Sequence, residues 1–230
     1  MKALPALLSL LLLAACDQAN QTAAGIIGDD VARQTSAYQR ATEAGNWRAI
    51  ADEPVVDCAK EPEACGKLHG MRANACLTLA MERRTSPRAA CPGPDPEVNA
   101  WLDCASRDYA AALPMLGADK RPGTQTNRAN ALYCRAEGKT AVGGLMDAAA
   151  AEDMGARAGT ALGLVWAARG AMAQARAGAG LPGPRCDALH RAKTLAAAGA
   201  AMGDPVANAA FDGIRADIAA LVTSIPRCAL

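Results

Sequence analysis

The sequence predicts an all-α domain of paired antiparallel helices stapled by disulfides, and three observations predict it. About a quarter of the 230 residues are Ala, the strongest helix former, while Val and Ile are scarce, which starves any large sheet. Gly and Pro punctuate the chain at helix-length intervals, with apolar residues recurring every three to four positions between them. Beyond Cys16 the chain carries an even set of cysteines. It is 51% hydrophobic, yet its only aromatic residues are Tyr38, Trp47, Trp101, Tyr109, Tyr133, Trp166 and Phe211. A core built on Ala methyls buries little area per residue, so crosslinks have packing to replace. Lys plus Arg is 24 and Asp plus Glu 23, a balance that steers nothing toward nucleic acid.

The first element is an address. Met1 and Lys2 precede an apolar run from Ala3 to Leu13 that is too short to cross a hydrocarbon core of roughly 30 Å as a helix. Residues 1–15 therefore read as a secretory signal peptide. Leu13-Ala14-Ala15-Cys16 looks like the bacterial lipobox, which implies cleavage before Cys16 and lipidation of its thiol. Residues 16–28 then form a flexible tether and 29–230 the helical domain. The expected location is outside the cytoplasm, lipid-anchored to a bacterial membrane and facing the periplasm, since two or more acyl chains hold stably. Asp17 resembles an inner-membrane retention signal of enteric lipoproteins, but inner and outer membrane both stay open.

The helices follow in order. Asp29-Asp30 opens one that ends at Gly45, and Asn46 caps a short turn with Trp47 and Ile50 that Pro54 stops. Pro62, flanked by Glu61 and Glu63, starts a long helix with a stripe of Ala64, Leu68, Met71, Ala75 and Leu79, ending at Arg83-Arg84. Pro87, Pro92, Gly93 and Pro94 make a loop. Asp95-Pro96-Glu97 then begins a helix with Val98, Leu102, Ala105, Tyr109 and Ala112 on one face, closed by Pro114. Further helices are expected near 127–137, 140–154, 156–178, 187–199 and 204–224, the last with Val206, Ala210, Ile214, Ile218 and Leu221 on one face.

Cys58, Cys65, Cys76, Cys91, Cys104, Cys134, Cys186 and Cys228 are the disulfide candidates, as expected of an exported chain. Cys76 and Cys104 are equidistant from residue 90, in the loop between two helices, and are the favoured pair. Cys65 and Cys76, eleven residues apart on one helix and so about 16 Å apart along its axis, cannot pair with each other. The rest of the connectivity stays open. With no C-x-x-C, no haem-attachment motif, and His69 and His190 isolated in sequence, neither a metal nor a cofactor is expected.

Repetition is the most informative feature. Arg72-Ala73-Asn74-Ala75 recurs as Arg128-Ala129-Asn130-Ala131, and Met154-Gly155 as Met202-Gly203. Ala158, Leu162, Gly163, Trp166 and Gly170, and again Gly203-Asp204-Pro205-Val206-Ala207 with Phe211, keep a small-residue and aromatic order that resembles the Sel1-like branch of tetratricopeptide repeats. Asp212 stands where that pattern has its second Gly. The resemblance covers roughly residues 127–224, reaching 62–113 through the echo at Arg72. It implies a short right-handed solenoid of helix pairs, with small residues allowing close approach and the aromatic filling the hole between pairs. An irregular Ala-rich bundle is the alternative.

Catalytic signatures are missing. Gly138-Lys139-Thr140 has the tail of a phosphate-binding loop, but Tyr133 stands where its first Gly belongs, and Thr140 reads instead as the cap of the next helix. No G-x-S-x-G or S-x-x-K surrounds any Ser. Glu61/Glu63 is a carboxylate pair at a helix start and Glu152/Asp153 one near a helix end on a solvated face, and the five large aromatics from Trp101 onward read as packing residues. The expectation is thus a membrane-anchored binding scaffold for an unknown envelope protein or peptide, not an enzyme, with no catalytic residue named. The alternatives are a cell-envelope enzyme acting on cell-wall glycan or peptide, and a structural subunit of an envelope assembly.

Overall fold

A computed structural model describes residues 28–86, 89–139, 141–177 and 181–229. Cys16, the expected signal peptide and nearly all of the expected tether lie outside them, as does Thr140. Among the described residues the regular structure is all helical: α1 (Asp29–Glu43), α2 (Trp47–Asp52), α3 (Pro62–Glu82), α4 (Pro96–Ala112), a 3-10 turn (Leu113–Met115), α5 (Arg121–Glu137), α6 (Ala141–Ala158), α7 (Ala161–Ala177), α8 (Pro182–Ala200) and α9 (Pro205–Val222). These nine α-helices pack as adjacent pairs in chain order, each mainly against its predecessor and successor.

Local chemistry explains the helix starts. Asp95 accepts from the backbone N–H groups of Glu97 (2.8 Å) and Val98 (3.2 Å), and Asp204 from those of Val206 and Ala207, each with Pro at the following position. These side chains satisfy donors that a helix start leaves open, and Pro has no donor to lose there. The boundary between α6 and α7 lies later than the sequence suggested. Gly155 continues α6, and the break falls at Gly159, whose φ of +62° suits Gly; Thr160 then accepts from the Gly163 N–H at 2.9 Å to start α7. Helices α5 and α8 begin earlier than expected, each with Pro in its first turn.

Packing is two-sided where the sequence showed one stripe. Leu68 and Ala75 of α3 face α1 and the Cys58 loop, while Ala73, Cys76, Leu77 and Ala80 face α4 and α5. The second core joins α7, α8 and α9 around Phe211, Leu189, Ile214 and Val165. On α9 the buried face runs through Ala207, Phe211, Ile214 and Ile218, whereas Val206 is 72% exposed. The echoed Ala73, Ala75, Ala129 and Ala131 are all fully buried, so the two motifs share the burial of their alanines as well as a spelling.

Glycines set the closest approach. A Cβ on Gly163 would lie 2.7 Å from the Gly155 carbonyl, and one on Gly170 would lie 2.6 Å from that of Ala148. Helices α6 and α7 therefore touch backbone to backbone. Trp166 of α7 meets Tyr133 of α5, ring centroids 5.9 Å apart. Phe211 instead seats its ring end in the slot left by Gly199 of α8, within the last helix pair and not between pairs.

Four disulfides reinforce this thin core: Cys58–Cys65, Cys76–Cys104, Cys91–Cys134 and Cys186–Cys228. They tie, respectively, the loop before α3 to its first turns, α3 to α4, the Pro-rich loop to α5, and α8 to the C-terminal tail. Such crosslinking fits an oxidising compartment. No helix among the described residues is long and apolar enough to cross a membrane.

Candidate functional site

Helix α7 carries α6 on one side and α8 on the other, with little packing between those two. The gap is an open groove of about 530 Å³. Ala149, Glu152, Asp153 and Ala156 reach it from α6 at i, i+3, i+4 and i+7, the spacing that puts four residues on one helix face. His190, Arg191, Thr194 and Leu195 supply the α8 wall. The groove exists because the glycines of α7 draw α6 inward while α8 docks on another face of the same helix.

One polar network holds the two walls at their spacing. Arg191 donates to Glu152 through Nε (2.7 Å) and Nη2 (3.2 Å), and Gln174 of α7 donates from Nε2 to Glu152 Oε2 (2.6 Å) and accepts from Arg191 Nη2 (3.1 Å). The hydrogen bond to Glu152 raises the Arg191 guanidinium above its ordinary value. Glu152 thus accepts three donors, and its side chain is only 16% exposed. Asp153 pairs with Arg157 one turn along α6, and His190 is exposed at the rim. Sequence reasoning placed Glu152 and Asp153 on a solvated face near a helix end. That neither α6 nor α8 covers the other could not be read from the chain.

A second polar cluster lies in the N-terminal half. Asp108 of α4, its side chain 4% exposed, accepts from Arg72 Nη1 at 2.8 Å and pairs with His69 Nδ1 at 2.8 Å. Arg72 also donates from Nε and Nη2 to the Ala51 carbonyl at the end of α2, so one guanidinium joins three helices. A ring nitrogen of His69 and the sulfurs of Cys58 and Cys65 lie within 4.8 Å of one another. The two sulfurs are bonded to each other and are not free to ligate. His69 looked like an ordinary helix residue in the sequence, because its carboxylate partner stands 39 positions away. Elsewhere, Gly138 ends α5 and Lys139 pairs with Asp147, so the phosphate-loop fragment does structural work.

Trp101, Tyr109, Tyr133 and Phe211 are buried in the cores and Trp166 half-buried, with Arg169 4.8 Å above its ring. No family model, curated protein or solved structure matches this chain.

Proposed function

We propose that this protein is a lipid-anchored envelope module, a short right-handed Sel1-like stack of helix pairs that holds an extended peptide segment of another envelope protein in the α6–α8 groove. The observation that carries this reading is the groove itself. It falls in the usual size range of ligand clefts, roughly 300–1,000 Å³. The methyl groups of Ala149 and Ala156 and the side chain of Leu195 offer small apolar contacts, while Asp153, His190 and Thr194 can hydrogen-bond a peptide main chain. Lipidation of Cys16 belongs to the same proposal and is supported by the leader-like start and the crosslinked domain.

An enzyme acting on cell-wall glycan or peptide would draw on Glu152 and Asp153. The first already accepts three hydrogen bonds and the second sits in a surface ion pair, which favours binding over proton transfer. The test is selection from a random peptide display library on the mature chain, followed by calorimetry. Enriched peptides should bind the parent chain and the α9 surface control Ala219→Arg, and fail to bind Ala149→Arg, which fills the groove from an exposed helix position. Equal binding to both variants, or no enrichment at all, overturns the proposal.

A further inference from the structure

We propose that Cys58, Cys65 and His69 form a thiol-gated zinc site: closed as a disulfide when oxidised, and able to bind one Zn²⁺ when a dithiol reductant opens the bridge. The donors are already gathered. Cys65 and His69 are four residues apart on α3 and so share a face one turn apart, and Cys58 reaches them from the preceding loop. Their ligand atoms lie within 4.8 Å of one another, so once the bridge opens, shifts of about 1–2 Å bring them to the roughly 3.5–3.8 Å edges of a tetrahedron whose metal–sulfur bonds are about 2.3 Å and metal–nitrogen bonds about 2.0 Å. Two thiolates and an imidazole are a soft donor set that suits Zn²⁺. Three protein ligands leave a fourth position for water or an incoming group.

The surroundings point the same way. With His69 Nδ1 held by Asp108 at 2.8 Å, Nε2 is the nitrogen this proposal assigns to the metal. Zinc-bound histidines characteristically give their other nitrogen to a carboxylate, which fixes the ring and raises its basicity. Arg72 neutralises the remaining oxygen of Asp108, so the orienting carboxylate is held without the metal. The two cysteines are 3% and 4% exposed while the His69 side chain is 21% exposed, giving a dry site with its opening on the histidine side.

Opening this bridge also disturbs the fold least. It closes a loop of seven residues, against 28, 43 and 42 for the others, and chain-entropy stabilisation grows with loop length. The chemistry balances. A thiolate of the dithiol attacks one sulfur of the bridge and forms a mixed disulfide, and its second thiolate resolves that bond. The dithiol leaves oxidised, and its two electrons and two protons end on Cys58 and Cys65. Zn²⁺ then binds both as thiolates, releasing those two protons to water.

The experiment uses the mature chain, titrated with a dithiol under native conditions until mass mapping shows Cys58 and Cys65 free and the other bridges intact. Co²⁺ is added as the optical probe and displaced by Zn²⁺. Expected are one equivalent bound with the visible bands of tetrahedral thiolate cobalt, and none with the oxidised chain. His69→Ala should weaken zinc binding by at least about 10–100-fold, the effect typical of losing even an outer-shell partner. Cys65→Ser should abolish the thiolate bands while circular dichroism stays helical. Three results overturn the proposal: equal binding by the oxidised chain, unchanged affinity in His69→Ala, or a bridge that opens only when the helical signal is lost.

Discussion

Replacing Gly170 by Ala tests how α6 and α7 are held together. The added Cβ would stand 2.6 Å from the Ala148 carbonyl oxygen and 2.9 Å from the Glu152 amide nitrogen, both backbone atoms, which cannot turn away as a flexible side chain could unless the whole helix shifts. An ordinary carbon–oxygen contact begins near roughly 3.3 Å, so α6 must retreat by about 0.7 Å. A gap of that size forfeits about a quarter to a half of the local dispersion energy. Overpacking typically costs about 1–3 kcal/mol, and the long α6–α7 seam puts this site in the upper part of that range. The better helix propensity of Ala returns about 1 kcal/mol, leaving a net loss of roughly 1–2 kcal/mol. At about 2–4 °C per kcal/mol for a chain this size, Tm should fall by roughly 2–8 °C in a calorimetric scan under non-reducing conditions. Gly213 of α9 is the control. Nothing lies within 4 Å of its Cβ direction, so Gly213→Ala should gain roughly 0.5–1 kcal/mol. The close-packing argument is wrong if Gly170→Ala is as stable as the parent while Gly213→Ala behaves as stated.

Three further outcomes are expected. Removing bridges as Cys→Ser pairs should follow loop length in urea unfolding, with about 2.4 kcal/mol lost for Cys58/Cys65 and about 4 kcal/mol for Cys91/Cys134; the reverse order would contradict the chain-entropy account. Gly199→Ala should destabilise the α8–α9 pair because Phe211 fills that slot, and Phe211→Leu should partly rescue it, giving a double-mutant coupling of roughly 0.5–3 kcal/mol; strict additivity would mean the ring does not occupy the slot. The tyrosines should resist base. Burial raises all three phenols, Tyr38 to about 12, above the unfolded value of about 10. The folded state therefore keeps protons that the unfolded chain gives up, so stability intact below about pH 10 is lost as pH rises toward 12. Phenolate absorbance should appear together with loss of the helical signal, and phenolate forming near pH 10 in a still helical chain would show the rings to be accessible.

Helix identity was legible in the chain because it rests on local physics. Ala content, the Asp-Pro starts at Asp95 and Asp204 and the Pro-rich loop after Arg84 all act within a few residues of themselves. The even cysteine set announced crosslinking, because paired thiols oxidise wherever the surroundings allow it and the count needs no structure to read. Boundaries were less legible where two signals competed. Gly155 looked like a terminator by composition, yet it lies inside α6 because the seam with α7 needs a residue without a side chain, and Gly159 has the backbone angle that ends the helix.

What the sequence determined by itself is therefore the class of structure: helices, their approximate order, and a core of small side chains held by sulfur. Tertiary structure alone decided which faces stay bare and which distant groups meet. The buried side of α9 shifted from Val206 to Ala207 and Phe211 because the mate of Phe211 is Gly199, on another helix. The α6–α8 groove and the pairing of His69 with Asp108 arise in the same way. Helix formation is set by each residue and its near neighbours along the chain, whereas a groove or a charge pair depends on where two separately folded faces come to rest.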